Sequence, residues 1–325
     1  MRQPRALAVP GRPGLYHVCS RVVDRRVVFY ERERRKFMAL IKGGAAFAGV
    51  DVVSWCLMGN HFHLLVRVPP VDSDVLSDQE VFSRMEHIYT EPRMRHFRGV
   101  WERIGSEEAR RDYLAPFRAR MGSLSDFVKT LKQRFTQWFN RLNNREGTLW
   151  EGRFFSVMLS HNEKESGEGL GLLARFVAGY IDLNPVRAKL VRDAGESDWS
   201  SYGAAIRGDA EGLAGLRILW GSRATDGLED EGILAMHGGM LARARYHDGA
   251  SEGDATTVRD GGKFIGKQMD NEGETQGESL CGDERRRSLS AKDVERRLLS
   301  LMGQRCEPLT KGRALGRNWV LGLSG

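Results

Sequence analysis

The chain has 325 residues, enough for one large or two modest domains with a substantial core. Its four cysteines form no C-x-x-C pair, which argues against a disulfide framework and a thiolate zinc site and favours a reducing, cytoplasmic location. No apolar run has the length needed to span a bilayer, and the N-terminus lacks an apolar signal core, so we expect a soluble protein without membrane contact.

Positive charge is concentrated in the N-terminal half. Residues 1–160 contain 27 Lys and Arg against 17 Asp and Glu, whereas residues 161–325 contain 23 against 26. Cations that neutralise phosphates supply most of the non-specific affinity for nucleic acid, so this half suits a polyanionic partner. The alternative is a basic protein without such a partner.

The first part of the chain is predicted to contain three strands and a helix. Gly14–Arg21 alternates and predicts a strand, and a helix is expected over 31–47 because its apolar residues fall on one stripe. A second strand is predicted over 50–58. Gly59 and Asn60 are a two-residue turn signal, after which His61–Val68 forms the returning strand of a hairpin.

The segment 69–122 is charged and has no strong period, so we expect an insertion outside the central sheet. Ser123 and Asp126 then have the spacing of a capping box and open a helix whose apolar residues recur as far as Leu142. The basic face of this helix is either solvated or a track for phosphates. A fourth strand is predicted over 153–159.

The order strand–helix–strand–strand–helix–strand is that of a ferredoxin-like α/β sandwich, an α+β fold with a central antiparallel sheet. RNA-recognition modules share this RRM-like architecture, so the fold alone does not decide the activity.

Two histidines, His61 and His63, flank Phe62 in the predicted third strand. Since side chains alternate along a strand, both imidazoles point to one face, roughly 6.5 Å apart at Cα, and can converge on one divalent metal. A half-buried strand with a polar face explains the same pattern, and the spacing does not choose between the two interpretations.

A second group of polar residues ends a predicted helix over 170–183. Tyr180 and Asn184 are four residues apart and share a helix face, and Pro185 is expected to end or kink the helix. The structural interpretation is a tyrosine at the edge of the core with a satisfied hydroxyl, and an asparagine that ends the helix.

Together these motifs resemble the single-tyrosine transposases of the HUH nuclease class, with an IS200-like domain, and are most similar to the REP-associated tyrosine transposases. The resemblance covers about 12–205 in the family's own order. The segments that carry it are 16–21, 57–65, 147–154, 180–187 and 198–202.

The resemblance implies that His61 and His63 are metal ligands, that Tyr180 is the nucleophile, and that Asn184 is a third ligand. A tyrosine hydroxyl ordinarily has a pKa of about 10, so it needs a nearby cation, and a Lewis acid to polarise the phosphate. Nitrogen and oxygen ligands with open positions fit Mg²⁺ or Mn²⁺, although imidazole also accepts zinc.

The implied partner is single-stranded or hairpin DNA, cleaved through a 5′-phosphotyrosine and rejoined by a 3′-OH, at hairpin-forming palindromes. Two other hypotheses stay open: a non-catalytic, nucleic-acid-binding regulatory protein derived from a transposase, and a metal-dependent hydrolase of a small phosphoester. Monomer and homodimer, and an active site within or between chains, are both open. The DNA-binding candidates are Lys129, Lys132, Arg134, Arg141, Arg153 and Arg187.

Three residues depart from the family pattern or compete with its assignments. Gly59 stands where the family more often has proline, which we expect to be harmless because glycine adopts turn geometry. His17, in the first strand, could approach the metal from a neighbouring strand, although a structural role is expected. Tyr202 is a weaker candidate nucleophile because it has no partner at i+4.

Four segments are predicted along the chain. The transposase domain covers 12–205, and a helical or irregular extension covers 206–248. Residues 249–289 are rich in Gly, Asp and Glu and predict a disordered linker. A short helical tail is expected over 290–325, where Ser290 begins a capping box.

Overall fold

A five-stranded sheet is the central element of the fold. The structure, a computed structural model, describes residues 12–70, 76–159, 169–247 and 319–321. The chain divides into two compact units, and all described residues except 243–247 lie in the first. The predicted linker over 249–289 and the helix expected from Ser290 lie outside the described residues.

Four antiparallel strands form most of the sheet. They are β1 (Gly14–Arg21), β2 (Asp51–Leu57), β3 (His61–Val68) and β4 (Phe155–Leu159). The order is β2-β3-β1-β4, in which β1 pairs with both β3 and β4 and β2 pairs with β3. This is the ferredoxin-like arrangement, and the predicted fold class is confirmed.

A fifth strand, β5 (Trp319–Leu321), pairs in parallel with β4 at the sheet edge. The three described residues of the predicted helical tail are thus extended. The edge of β4 explains this, because unpaired backbone groups on an edge strand accept another strand.

Two long helices cover one face of the sheet. The first, α1, is Glu31–Ala48 and ends at Gly49, whose φ of +66° is left-handed. The other is α5 (Leu124–Leu142), which begins after Ser123 because the serine hydroxyl accepts a hydrogen bond from the Asp126 N–H. Between sheet and helices lies a buried core rich in aromatic residues: Phe29, Phe37, Phe62, Leu64, Val66, Phe135 and Trp150.

The segment between β3 and α5 is helical. It contains α2 (Asp78–Glu86), α3 (Glu91–Glu102) and α4 (Glu107–Arg118). These helices have an apolar core of their own, which Phe47 at the end of α1 joins. The insertion is therefore packed against α1 and contributes no strand over its described residues, 76–122.

The opposite face of the sheet packs against three helices that follow β4: α6 (Leu172–Asp182), α8 (Ser201–Ile206) and α9 (Ala210–Trp220). The other helices of this part of the chain are α7 (Asn184–Arg187), α10 (Ser222–Thr225) and α11 (Asp230–His247). Short 3₁₀ turns lie at Val23–Arg25 and Ala194–Glu196. The helix predicted over 170–183 stops at Asp182, and Pro185 occupies the first turn of α7, where a missing N–H costs little.

None of the helices in the described ranges combines the length and the apolar character that crossing a bilayer would require.

Candidate active site

The β2–β3 turn, which leads into the histidine pair, is held by the segment that follows β1. The Gly59 carbonyl accepts hydrogen bonds from the N–H groups of Val28 and Phe29, at 2.9 and 3.0 Å. The Asn60 side-chain amide donates to the Arg25 carbonyl at 2.8 Å. These bonds fix the point at which β3 begins, and therefore the position of His61.

His61 and His63 lie on one face of β3, as the alternation predicts. Their ring centroids are 5.1 Å apart and the rings are nearly perpendicular, at 82°. Phe62, between them, is fully buried in the core under α1 and α5. His63 is also fully buried, whereas His61 is partly exposed.

A third histidine, His17 on β1, joins this pair. Its Nε2 lies 3.0 Å from Nδ1 of His63, and the two rings stack at 5.3 Å with an angle of 4°. One nitrogen donates and the other accepts, so if His63 donates from Nδ1, its Nε2 carries the lone pair. The pairing of β1 with β3 brings His17 to the histidine pair from the neighbouring strand, which is the alternative that the sequence left open beside a structural role.

The asparagine before the pair bears on the tautomer of His61. Nδ1 of His61 lies 2.8 Å from Oδ1 of Asn60. An amide oxygen only accepts, so His61 donates from Nδ1 and keeps the lone pair on Nε2. A ligating histidine is oriented in this way by a hydrogen bond from its other nitrogen.

Tyr180, on α6, packs edge-on against two of these rings. The centroid distances are 5.9 Å to His63 and 6.2 Å to His17, at angles of 85° and 81°. Tyr180 is buried, with 7% of its surface exposed. The chain thus brings the tyrosine predicted as a nucleophile to the histidine pair from a distant part of the sequence.

The end of α6 is tied together by Asn184 and Arg187. The Asn184 side-chain N–H groups donate to the carbonyls of Tyr180 at 2.9 Å and Ile181 at 3.3 Å. Arg187 donates to the Tyr180 carbonyl at 3.2 Å, and its guanidinium lies 5.0 Å from the centre of the tyrosine ring. Since the Asn184 nitrogen is used in capping the helix, its Oδ1 is the atom that suits a metal.

A comparison with known protein families finds a match for the segment that carries the histidine pair. Residues 14–75 match the family model described as "Transposase IS200 like". The resemblance to IS200-like transposases is confirmed. The matched segment contains β1, α1, β2 and β3 with both histidines of the pair, whereas Tyr180 and Asn184 lie beyond it.

A solved structure is also similar to the chain. It is described as the "Structure of the REP associates tyrosine transposase bound to a REP hairpin", and the match covers 70% of this chain and 94% of that chain. The sequence identity is 14% and the TM-score is 0.38. No curated protein matches the chain.

Across the described ranges, no three His, Cys, Asp or Glu side chains are grouped to hold a metal. The neutral donors that the sequence predicts as ligands are the imidazoles of His61 and His63 on β3 and the amide oxygen of Asn184 in α7. Cys56, beside His63 in the sheet register, does not add a thiolate, because burial and the nearby Asp182 carboxylate raise the pKa of its thiol.

Sequence reasoning missed a buried acid, Asp182, at the end of α6. Its Oδ1 accepts hydrogen bonds from the Ser201 hydroxyl at 2.8 Å and the Tyr202 N–H at 3.1 Å, and Oδ2 lies 3.1 Å from Nε2 of His237. Ser201 also lies 3.0 Å from the Ser54 hydroxyl on β2. The available signal was the single carboxylate of a largely apolar helix. A fully buried acid requires such hydrogen-bond partners.

The competing nucleophile candidate, Tyr202, has different neighbours from Tyr180. Its ring packs against His237 at 5.2 Å. Burial raises the pKa of the Tyr202 hydroxyl, and the carboxylates of Asp193 and Asp182 raise it further. An acid-rich setting of this kind disfavours the phenolate that an attack requires.

The predicted basic face of α5 is not a uniform row of exposed cations. Lys132 is buried and donates to the Gly152 carbonyl at 2.8 Å, and Arg134 donates to the Ile88 carbonyl at 2.5 Å while stacking on Tyr89. These two contacts attach the 148–154 segment and the insertion to α5. The DNA-binding candidates that lie exposed on the surface are Lys129, Arg141, Arg153 and Arg187.

Proposed function

We propose that the protein is a transposase that cleaves and rejoins single-stranded DNA, with Tyr180 as the nucleophile. The observation that carries the proposal is the packing of the Tyr180 ring against His63 and His17, with His61 beside them. The sheet supplies the histidines and α6 supplies the tyrosine, so the nucleophile and the proposed metal ligands meet only when α6 packs on the sheet.

In the proposed reaction, the Tyr180 hydroxyl oxygen attacks a DNA phosphorus and the bond from phosphorus to the 3′-oxygen breaks. The products are a 5′-phosphotyrosine and a free 3′-OH, and the proton lost by the phenol balances the proton gained by the leaving oxygen. A 3′-OH then attacks the same phosphorus and releases the tyrosine. Each step exchanges one phosphoester for another, so no nucleotide triphosphate is consumed.

His61, His63 and Asn184 would hold Mg²⁺ or Mn²⁺, which when bound supplies Lewis-acid polarisation of the phosphate. His17 fixes the orientation of the His63 ring through the 3.0 Å contact. Arg187 provides a permanent cation above the attacking ring, where it offsets the charge of phenolate and phosphate.

The test uses the full chain, Mn²⁺ and labelled single-stranded oligonucleotides that carry an imperfect palindrome with unpaired flanks. We expect a covalent adduct that survives denaturation and is lost in Tyr180→Phe. The matched control is Tyr202→Phe, which should form the adduct at the wild-type rate.

An adduct formed by Tyr180→Phe would overturn the assignment of the nucleophile. Hairpin binding by the wild-type chain with no adduct would instead favour the non-catalytic regulatory protein. Turnover of a small phosphoester without a covalent intermediate would favour the hydrolase.

A further inference from the structure

A groove of about 500 Å³ lies between one face of α5 and the segment that leads into β4. Six polar residues of α5 line the groove, and four of them recur every fourth position and so form a row along the helix: Ser125, Lys129, Gln133 and Gln137. The other two are Lys132 and Thr136. On the other side, the wall is formed by Thr148, Trp150, Gly152, Arg153 and Phe154.

The floor of the groove is a fixed aromatic ring. Trp150 is 6% exposed, and its indole N–H donates to the Thr136 hydroxyl at 3.0 Å and to the Lys132 carbonyl at 3.3 Å. The Lys132 ammonium lies 5.1 Å from the ring and bonds to the Gly152 carbonyl, so it holds the wall against α5. Phe154 adds a second, half-buried ring.

The chemistry of these walls suits an unpaired nucleobase and its phosphate. The half-buried ring of Phe154 provides a stacking surface for any base, and the exposed amides of Gln133 and Gln137 can both donate to and accept from a base edge. Lys129 and Arg153 are exposed cations on opposite walls, complementary in charge to a phosphate backbone. A base-paired duplex would hide the base edges that the amides require.

The groove and the histidine pair lie at the same end of the sheet. In the sheet register, Arg21 is opposite His61, and the Glu151 N–H donates to the Arg21 carbonyl at 3.0 Å. The next residue, Val22, is bridged to Trp150. Strand β1 alone therefore separates the backbone of the groove wall from the backbone of His61, which corresponds to two strand spacings, or about 10 Å, in the plane of the sheet. The groove lies on the α5 face of the sheet, and the imidazole of His61 lies on the α6 face.

We propose that this groove binds an unpaired nucleotide of the same DNA strand that Tyr180 attacks. The inference rests on the proposed function, which identifies the bound strand as the DNA that Tyr180 cleaves. The groove consists of residues that take no part in the chemistry at Tyr180. Binding at the groove can therefore be measured separately from cleavage.

The first experiment measures the affinity of the full chain for a fluorescently labelled, unstructured single-stranded oligonucleotide, without divalent metal. Gln137→Ala/Arg153→Ala removes one amide and one cation from opposite walls, and both residues are exposed, so we expect the fold to be kept. The affinity should fall about tenfold. A control of identical composition on the insertion, Gln79→Ala/Arg111→Ala, should leave it unchanged.

The second experiment maps the contact with an oligonucleotide that carries 5-iodouracil at successive positions. We expect photocrosslinks to Phe154, identified by mass spectrometry, from a narrow window of positions. Unchanged affinity in the groove variant, equal loss in the control variant, or crosslinks confined to other surfaces would overturn the proposal.

These outcomes separate the groove from the proposed function. Groove-dependent binding without any tyrosine adduct would support the groove and contradict the transposase chemistry. A tyrosine adduct together with crosslinks confined to other surfaces would support the transposase chemistry and contradict the groove.

Discussion

The two faces of the sheet use the same strands for different purposes. Towards α1 and α5, β3 contributes Phe62, Leu64 and Val66, all fully buried among aromatic side chains. Towards α6, the same strand contributes His61 and His63, and α6 contributes Tyr180. The apolar face buries side chains that have no polar requirement, whereas every buried polar group on the α6 face requires a partner. The comparison predicts that substitutions on the first face cost stability and substitutions on the second cost activity.

The strongest test of the apolar face is Phe62→Ala. Removing this fully buried ring leaves a cavity among Phe37, Phe135 and Trp150, so the free energy of unfolding should fall by about 3–5 kcal/mol. Urea denaturation measures the change. The control, Leu142→Ala on exposed α5 surface, should cost less than about 1 kcal/mol, and an equal loss in both variants would contradict the assigned core.

The adjacent residue should behave in the opposite way. His61→Ala removes a proposed ligand that is only partly buried, so we expect the rate of adduct formation to fall by about a hundredfold or more. The free energy of unfolding should change by less than about 1 kcal/mol. His96→Ala, an exposed histidine of the insertion, is the matched control. A wild-type cleavage rate in His61→Ala would remove the metal role from this histidine.

Asp182 tests whether the polar face has a structural role of its own. Asp182→Asn keeps the size of the side chain and one acceptor oxygen but loses the charge that faces His237, so unfolding should become easier by about 2 kcal/mol. We also expect slower adduct formation, because Asp182 anchors α6 two residues from Tyr180, with unchanged affinity for single-stranded DNA. Asp198→Asn, at a surface ion pair with Arg207, should change neither quantity. Equal effects of the two variants would show that the buried network contributes nothing.

The difference between the faces also explains how much the sequence reveals. The bounds of β1 and β3 agree with the prediction because alternation over eight residues fixes both the strand and its buried face. The start of α5 agrees because Ser123 caps it locally. Both signals are contained within a few neighbouring residues.

The partners on the polar face come from unrelated parts of the chain. Asp182 depends on Ser201, His237 and Ser54, and nothing in their spacing links them. His17 was open to prediction, because the predicted fold already makes β1 and β3 neighbours. The strand β5 was not, since it depends on an edge that exists only after β4 has paired with β1.

Lys132 is the residue whose sequence interpretation and environment differ most, and it gives the smallest of the expected effects. Its place on the polar side of α5 predicted a cation for phosphates, yet it is 8% exposed because Trp150 and the Gly152 carbonyl cover it. Burial lowers the pKa of Lys132 to about 8, an effect that the Cys19 thiol partly opposes.

This lowered pKa makes stability depend on pH in a definite direction. Below pH 8 the lysine is charged in both folded and unfolded chains, and the cost of burying the charge is present in full. Between about pH 8 and the unfolded value of about 10.4, the unfolded chain binds more protons, so stability rises with pH. The free energy of unfolding should be lower for the wild type than for Lys132→Met at pH 7.5. This difference between the two proteins should shrink by on the order of 1 kcal/mol between pH 7.5 and pH 9.5. Lys129→Met, exposed one turn away, should show no such change in urea denaturation. A constant difference between wild type and Lys132→Met would mean that the ammonium is solvated, and that this side of α5 is open to phosphate as the sequence suggested.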